Sequence, residues 1–323
     1  MTDVLVTGGA GFIGSHLVER LAARGDRIAI YDNFDSYYDR ATKEANVGPA
    51  LMMGNVRLVE GDILDKKMLF STFDRARPDK VVHLAARPGV RPSFETPQLY
   101  LDINTGGTLN VLQACHDFGV ARMIYASSSS VYGAVQGAAR ENVTPLNPLS
   151  PYGASKVAGE ALCSAFTHRS RLSATSLRFF TVYGPRQRPD MAVSRFTRMI
   201  QSGETVPIYG DGGSQRDYTY ISDIISGIVA ALDADMPGYN VFNLGRGQPI
   251  MLRDLLKLVE FGLDGRARTQ FLPAQPGDPQ STCADVTRAH VMLGYEPRVT
   301  AQEGVIRYTE WFLEEARDRV GSR

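Results

Sequence analysis

Tyr152 and Lys156 stand four residues apart in SPYGASKVAGEAL, a spacing that puts both side chains on one face of a helix. A phenol titrates at about 10, so it can take a proton at neutral pH only where nearby positive charge favours the phenolate. An ammonium one turn away supplies such charge. Upstream, YASSSSVYG carries the serines Ser127 to Ser130 between a short apolar run and Val131, Tyr132 and Gly133. Their hydroxyls can donate and accept hydrogen bonds, but near pH 7 they do not exchange protons as a carboxylate does. A bare Tyr-x-x-x-Lys spacing is usually a surface pair, so its meaning depends on what the fold brings beside it.

A second group of residues points to a phosphate ligand. VLVTGGAGFIGSHLVERLAARG sets Gly8, Gly11 and Gly14 between a strand-like run and an amphipathic helix opened by Phe12 and Ile13. Glycines at such a turn permit a tight bend, close approach of backbone N–H groups to a pyrophosphate, and close packing of helix on strand. Asp32, followed by Asn33, ends the next strand in IAIYDN, where an acid binds adenosine ribose hydroxyls. A carboxylate there repels a 2′-phosphate, so NAD is expected rather than NADP. Asp62 and Ile63, after the third strand, are read as adenine contacts.

The elements that must position these groups follow from the apolar pattern. Short β-branched runs at 4–6, 27–31, 56–60, 80–85, 122–126 and 174–179 alternate with helical stretches, which predicts α/β architecture with a parallel sheet and ligands at the carboxyl ends of the strands. Past about residue 185 Gly and Pro become frequent, with helices expected near 191–202, 221–233, 251–260 and 300–316 and a strand from 239 to 244. A dinucleotide-binding domain over 1–185, whose sheet recruits later segments, and a substrate-binding lobe over 186–323 are expected.

At 323 residues and 43% hydrophobic composition, the chain can bury roughly three quarters of its unfolded surface. Lys plus Arg and Asp plus Glu both number 35; no like-charge run tracks a phosphate backbone, and nucleic acid is not an expected partner. Cys115, Cys163 and Cys283 lack metal-ligand or C-x-x-C spacing and read as buried thiols in a reducing compartment. His16, His83 and His116 have no ligand cluster around them and read as core or helix residues, so no metal is expected. No run reaches the ~18 apolar residues of a membrane span. A cytoplasmic location is expected.

TGGAGFIG, HLAA at 83–86, NTGGTLNVLQA at 104–114, SSSSVYG, YGASK, RFFTVYGP at 178–185, RDYTYISD at 216–223 and PGDP at 276–279 together give the chain, over nearly its whole length, a resemblance to the extended short-chain dehydrogenase/reductases of the nucleotide-sugar epimerase and dehydratase branch. The resemblance implies a Rossmann-type doubly wound sheet with a smaller C-terminal α/β lobe, tightly held NAD, and a nucleoside diphosphate sugar as substrate. It implies cofactor contacts from the residues of the glycine turn, Asp32, Asn33, Asp62 and Ile63, from Leu84, Ala85 and Ala86, and from Tyr152 and Lys156. In this branch a Ser or Thr ahead of the pair preceding Val-Tyr-Gly bonds the sugar hydroxyl being oxidised, a role that falls on Ser128. Members that eliminate water or decarboxylate a sugar acid carry one or two acids in that pair. Ser129 and Ser130 stand there instead, which leaves oxidation at carbon 4, turning of the keto sugar and reduction from its other face, a 4-epimerisation without net redox change.

TVYGPRQRPDMAVSRF is similar more narrowly to the UDP-glucuronate 4-epimerase group, with Gln187 where that pattern has Gly. By position, Thr181 and Arg188 fall near the sugar carboxylate, and ARPGVRPS, with Arg87, Gly89, Val90, Arg91 and Ser93, matches the sugar-facing loop. A guanidinium fork suits a carboxylate in shape and charge. Arg216 and Asp278 match positions that bind the diphosphate and the uridine ribose. Three alternatives stand beside this reading: a 4-epimerase for UDP-glucose or UDP-N-acetylglucosamine, a UDP-glucuronate decarboxylase, and, from another class, a catalytically silent dinucleotide sensor, which commonly lacks the Tyr/Lys pair. Analogy also implies a homodimer through helices around 100–118 and 152–168.

Overall fold

The computed structural model describes residues 1–273 and 279–321, the end of the final helix by its backbone alone. Asp278 lies outside the described residues. Six strands come first in the chain: β1 (Asp3–Thr7), β2 (Arg27–Asp32), β3 (Val56–Glu60), β4 (Lys80–His83), β5 (Arg122–Ser128) and β6 (Ser173–Phe179). The remainder contributes β7 (Thr181–Tyr183), β8 (Thr205–Tyr209), β9 (Gln215–Arg216), β10 (Tyr218–Tyr220), β11 (Tyr239–Leu244), β12 (Ile250–Met251) and β13 (Arg268–Leu272). One parallel sheet of seven strands runs in the order β11-β6-β5-β4-β1-β2-β3. The sheet thus recruits a strand from far down the chain, as the apolar run at 239–244 allows.

The inner strands read as unbroken apolar runs because both of their faces are covered. On β1, Val4 and Val6 join the core on one side of the sheet, while Leu5 joins the core on the other. The first core includes Leu17, Val18 and Leu21 of the helix Phe12–Ala23, together with Ile224 and Ile228 of the helix Ile221–Asp233. The second takes Leu69 and Phe73 of the helix Lys66–Ala76, Val111 and Cys115 of the helix Thr108–Asp117, and Cys163 of the helix Pro151–Thr167. Cys115 and Cys163 are buried as expected; Cys283 is only half-buried.

Strand order reverses between β1 and β4, which lie side by side while their crossovers leave in opposite directions. That is where a doubly wound sheet opens a crevice at its carboxyl edge. Gly8 follows β1 and Leu84 follows β4, and the N–H of Leu84 donates to the carbonyl of Thr7 at 3.0 Å. The strand expected over 80–85 ends at His83, so Leu84 to Ala86 run free of the sheet along the crevice. His83 is buried, its Nδ1 2.7 Å from Thr7 Oγ1 and its Nε2 3.0 Å from Thr108 Oγ1. Burial, and then the charge of Lys156, push its pKa down to about 3, so it is a neutral core bridge. Among the described residues no group of His, Cys, Asp and Glu is disposed to hold a metal ion, and no helix is long and apolar enough to cross a membrane.

Candidate active site

The three glycines of the first turn have different duties. Gly8 adopts φ +71°, and a Cβ there would lie 2.6 Å from the backbone nitrogen of Ala85. A Cβ at Gly14 would lie 2.2 Å from the carbonyl oxygen of Gly8, so this glycine lets the helix Phe12–Ala23 sit against the turn. At Gly11 the space is open, the nearest atoms being the Gly8 carbonyl at 3.3 Å and the Tyr38 hydroxyl at 4.0 Å. Gly11 is also the N-cap and has no side chain to satisfy the first N–H groups of the helix, which leaves a cradle for an anion over the positive helix end.

One cleft is lined by Gly8, Gly11, Phe12, Ile13, Gly14, Asp32, Asn33, Asp62, Ile63, Leu84, Ala85, Ala86, Arg87, Tyr152, Lys156 and Arg188, all singled out in the sequence. Asp32 is buried, its Oδ2 accepting from the N–H of Ala10 at 3.0 Å and its Oδ1 from that of Phe34 at 2.9 Å. It therefore holds the glycine turn to the end of β2 as well as lining the cleft. Burial pushes its pKa up, against the two N–H groups that favour the carboxylate. Asn33 Nδ2 donates to Asp62 Oδ2 at 2.9 Å, joining the ends of β2 and β3.

Asp35, Tyr37, Tyr38 and Lys43, which carry no motif in the sequence, also line this cleft. Lys43 is buried on the helix Arg40–Leu51, its Nζ donating to the Asp35 carbonyl at 2.6 Å and lying 4.7 Å from the centre of the Tyr38 ring. The Tyr38 hydroxyl and the Nε of Arg87 are buried without a hydrogen-bond partner. Unsatisfied polar atoms are rare in folded interiors, and these two belong to cleft-lining side chains. An open glycine cradle, a strand-end carboxylate and these spare polar atoms fit an adenine dinucleotide.

At the other end of the cleft, β5 runs further than the apolar pattern suggested and includes Ser127 and Ser128; Ser129–Val131 then form one 3-10 turn. The strand alternates its side chains, so neighbouring serines face different partners. Ser127 Oγ donates to Glu160 Oε1 at 2.5 Å, inside the core. Ser128 Oγ accepts from the N–H of Ser130 at 3.1 Å and donates to Ser130 Oγ at 3.1 Å, and its hydroxyl also engages the Tyr152 phenol. Of the serine run, Ser128 is the one that meets the phenol.

Tyr152 and Lys156 lie on the helix Pro151–Thr167, which starts where Ser150 accepts from the N–H of Gly153 at 3.1 Å and Pro151 takes the first turn, a standard stabilised start. Gly153 and Gly159 let the helix lie against β5 and the turn after it: a Cβ on Gly153 would sit 2.6 Å from the Ser130 carbonyl, and one on Gly159 2.1 Å from the Tyr125 hydroxyl. Lys156 Nζ donates to the Ala126 carbonyl at 2.8 Å and lies 6.0 Å from the centre of the Tyr152 ring. Burial pulls Lys156 down to about 8, against the charges of Cys163 and Glu160. Burial raises the Tyr152 pKa, and the Ser128 hydrogen bond and the Arg188 charge only partly oppose it. Additional positive charge at the ring is needed for the base form.

Arg188 lines the cleft, its Nε and Nη2 donating to Asp190 Oδ1 and Oδ2 at 3.0 and 3.1 Å. Burial lowers its pKa, but Asp190 more than offsets this and the group stays firmly cationic. In the loop after β4, Gly89 adopts φ +107°, Ser93 Oγ donates to the Val90 carbonyl at 2.5 Å, and Arg91 lies 5.2 Å over the Tyr209 ring; none of Gly89, Val90, Arg91 and Ser93 is among the cleft-lining residues. Thr181 opens β7, two residues past Phe179, which lines the cleft although Thr181 does not. Arg216 sits on β9, its Nη1 donating to the Gln215 carbonyl at 2.7 Å, and is not among the cleft-lining residues. Next to it Asp217 is buried and accepts from the N–H groups of Arg246, Gly247 and Ala284 at 2.7, 2.9 and 2.9 Å, which ties the lobe together around Arg216.

Comparison with known proteins agrees with this architecture. A family model described as the NAD dependent epimerase/dehydratase family matches residues 4–245. A UDP-glucuronate 4-epimerase of Thermodesulfobacterium geofontis is 37% identical over 311 residues, 96% of this chain and 96% of that one. The crystal structure of a UDP-glucuronic acid 4-epimerase from Bacillus cereus, in complex with UDP-glucuronic acid and NAD, matches with TM-score 0.92 and 36% identity over 97% of this chain and 99% of that one. A Thermus thermophilus UDP-glucose 4-epimerase in complex with NAD matches with TM-score 0.88 and 35% identity over 96% and 98%. Matched by this family model over residues 4–245 and by these relatives over nearly its whole length, the chain belongs to the NAD dependent epimerase/dehydratase family.

Proposed function

We propose that the protein is a NAD-dependent 4-epimerase that interconverts UDP-glucuronate and UDP-galacturonate through a transient 4-keto sugar. One observation carries the substrate choice: the Arg188 guanidinium lines the same cleft as the Tyr152 and Lys156 pair, within the electrostatic reach of Tyr152. The catalytic set is Ser128, Tyr152 and Lys156. Tyr152 takes the proton of the sugar 4-hydroxyl and later returns one, Ser128 shares that hydrogen bond, and Lys156 keeps positive charge beside the ring. Bound NAD supplies a reversible two-electron acceptor and a positive charge that favours the phenolate. Its pyrophosphate would rest on Gly11 and the helix behind it, with Asp32 toward the ribose.

A 4-keto uronic acid is a β-keto acid and loses carbon dioxide when its carboxylate bond stands perpendicular to the ketone plane. Holding the carboxylate out of that orientation is therefore part of the task, and in this reading it falls to Arg188 with Thr181. With serines at 129 and 130, the pair ahead of Val131 offers no carboxylate to drive elimination. The lobe formed largely by residues beyond 186, with Arg216 and Asp278, takes the UDP moiety. Exposed Phe94, Leu99 and Leu101 next to the helices at 100–118 support a homodimer through that face. Free, buried Cys115 and Cys163 suit a reducing cytoplasm.

Arg188→Ala tests the substrate assignment. Losing a charged hydrogen-bond donor to the carboxylate is expected to raise KM for UDP-glucuronate by about 10- to 100-fold and to raise the share of UDP-pentose and carbon dioxide among the products. An unchanged KM and product ratio, or a wild-type protein that epimerises only UDP-glucose, removes Arg188 from this role.

A further inference from the structure

Arg188 is already engaged by an internal carboxylate, and the way it is engaged bears on selectivity. Residues 188–191 close a turn in which the N–H of Met191 donates to the Arg188 carbonyl at 3.3 Å, with Pro189 inside it. The turn brings Asp190 back onto the side edge of the guanidinium: Nε to Oδ1 at 3.0 Å and Nη2 to Oδ2 at 3.1 Å. Asp190 Oδ2 also accepts from the Tyr37 hydroxyl at 3.4 Å, and the Arg188 guanidinium lies 5.6 Å from the centre of the Tyr37 ring. The other face of this cluster is closed by Arg87, 5.0 Å from the same ring and paired with Asp35 at 2.5 Å. Two internal ion pairs, Arg188 with Asp190 and Arg87 with Asp35, leave the cluster with no net formal charge. A carboxylate gains little here from bulk attraction and must be recognised by directed hydrogen bonds. Among the described residues Nη1 of Arg188 makes no hydrogen bond, so the end of the fork opposite its stem is available.

We propose that Asp190 is a positioning residue for carboxylate recognition: it occupies the side edge of the Arg188 guanidinium and directs the remaining end, through Nη1, to the carboxylate of a uronic acid sugar. This rests on the reading of the protein as a UDP-glucuronate epimerase. A free arginine side chain has many rotamers, and fixing it in one orientation before the sugar arrives lowers the entropy cost of binding. The Asp190 carboxylate does not touch the substrate in this scheme; it acts through Arg188.

The test compares Asp190→Ala, Arg188→Ala and the double variant, each loaded with NAD, by KM for UDP-glucuronate and by the inhibition constant of UDP, which has no sugar carboxylate. Asp190→Ala is expected to raise KM about tenfold with the UDP constant unchanged, and Asp190→Asn, which keeps one acceptor oxygen, to fall between it and the wild type. In the Arg188→Ala background the Asp190 change is expected to add nothing, since the two act as one unit. A KM within twofold of wild type, an equal effect in both backgrounds, or a parallel rise in the UDP constant overturns the positioning role. A wild-type protein that does not turn over UDP-glucuronate overturns the underlying reading and this inference with it, and is seen before any variant is made.

Discussion

Tyr152→Phe is expected to lower kcat by about 10³-fold, roughly 4 kcal/mol of transition-state stabilisation, while affinity for NAD and for UDP stays near wild type. The phenol is half-buried in the cleft beside Ser128, with Lys156 Nζ 6.0 Å from the ring centre, and removing its oxygen deletes the proton acceptor without disturbing the ring. That ring is held edge-on by Tyr100, with centroids 6.3 Å apart and Tyr100 itself anchored to the Pro88 carbonyl at 2.6 Å. Single-turnover reduction of bound NAD, read by absorbance, checks this. A fall of less than tenfold shows that another group takes the proton.

The largest stability effect is expected at Glu160. Its carboxylate accepts from Arg178 Nε and Nη2 at 2.9 and 2.7 Å and from Ser127 Oγ at 2.5 Å. Both partners of the ion pair are almost fully buried, at 6% and 4% side-chain exposure for Glu160 and Arg178. Arg178 also lies 4.7 Å over the Tyr132 ring, and Tyr132 donates to Asn243 Oδ1 at 2.7 Å, so one polar network joins the helix carrying Tyr152 and Lys156 to β5, β6 and β11. Removing one partner of such a pair leaves an uncompensated buried charge and costs about 3–5 kcal/mol. Glu160→Ala is therefore expected to fall by that amount in urea unfolding, and Glu160→Gln, which can still accept hydrogen bonds, by less. A loss below about 1 kcal/mol for Glu160→Ala means that the pair is not holding the network.

These two sites differ in how readily the sequence reveals them. Tyr152 and Lys156 share a helix face, and their spacing is visible in the chain; so are the glycine turn and the strand-end acid at Asp32. The strands are legible for the same kind of reason, since a parallel strand covered on both faces needs a continuous β-branched run. The join of β11 to the main sheet is visible only as another such run, because the pairing with β6 depends on a crossover through the helix Ile221–Asp233. Glu160 and Arg178 lie on different elements, and nothing local marks them as partners. Lys43 looks like any solvated helix lysine until the helix Arg40–Leu51 packs it over Tyr38 and under the Asp35 carbonyl. Within the serine run, composition is uniform and only the alternation of β5 separates Ser127, bonded to Glu160 at the floor of the cleft, from Ser128, bonded to the phenol. The state of that phenol was the least legible feature, since burial outweighs its charged neighbours and depends on how the whole cleft closes around it.

The most direct measurement is to incubate the purified protein and NAD with UDP-glucuronate carrying deuterium at carbon 4, in ordinary water, and to follow the sugar by NMR while trapping carbon dioxide. UDP-galacturonate that keeps its deuterium at carbon 4 is expected, with little pentose and little carbon dioxide, because the same two electrons and the same hydrogen leave and return at one carbon. Washout of the label, a pentose as the main product, or no conversion at all would contradict it.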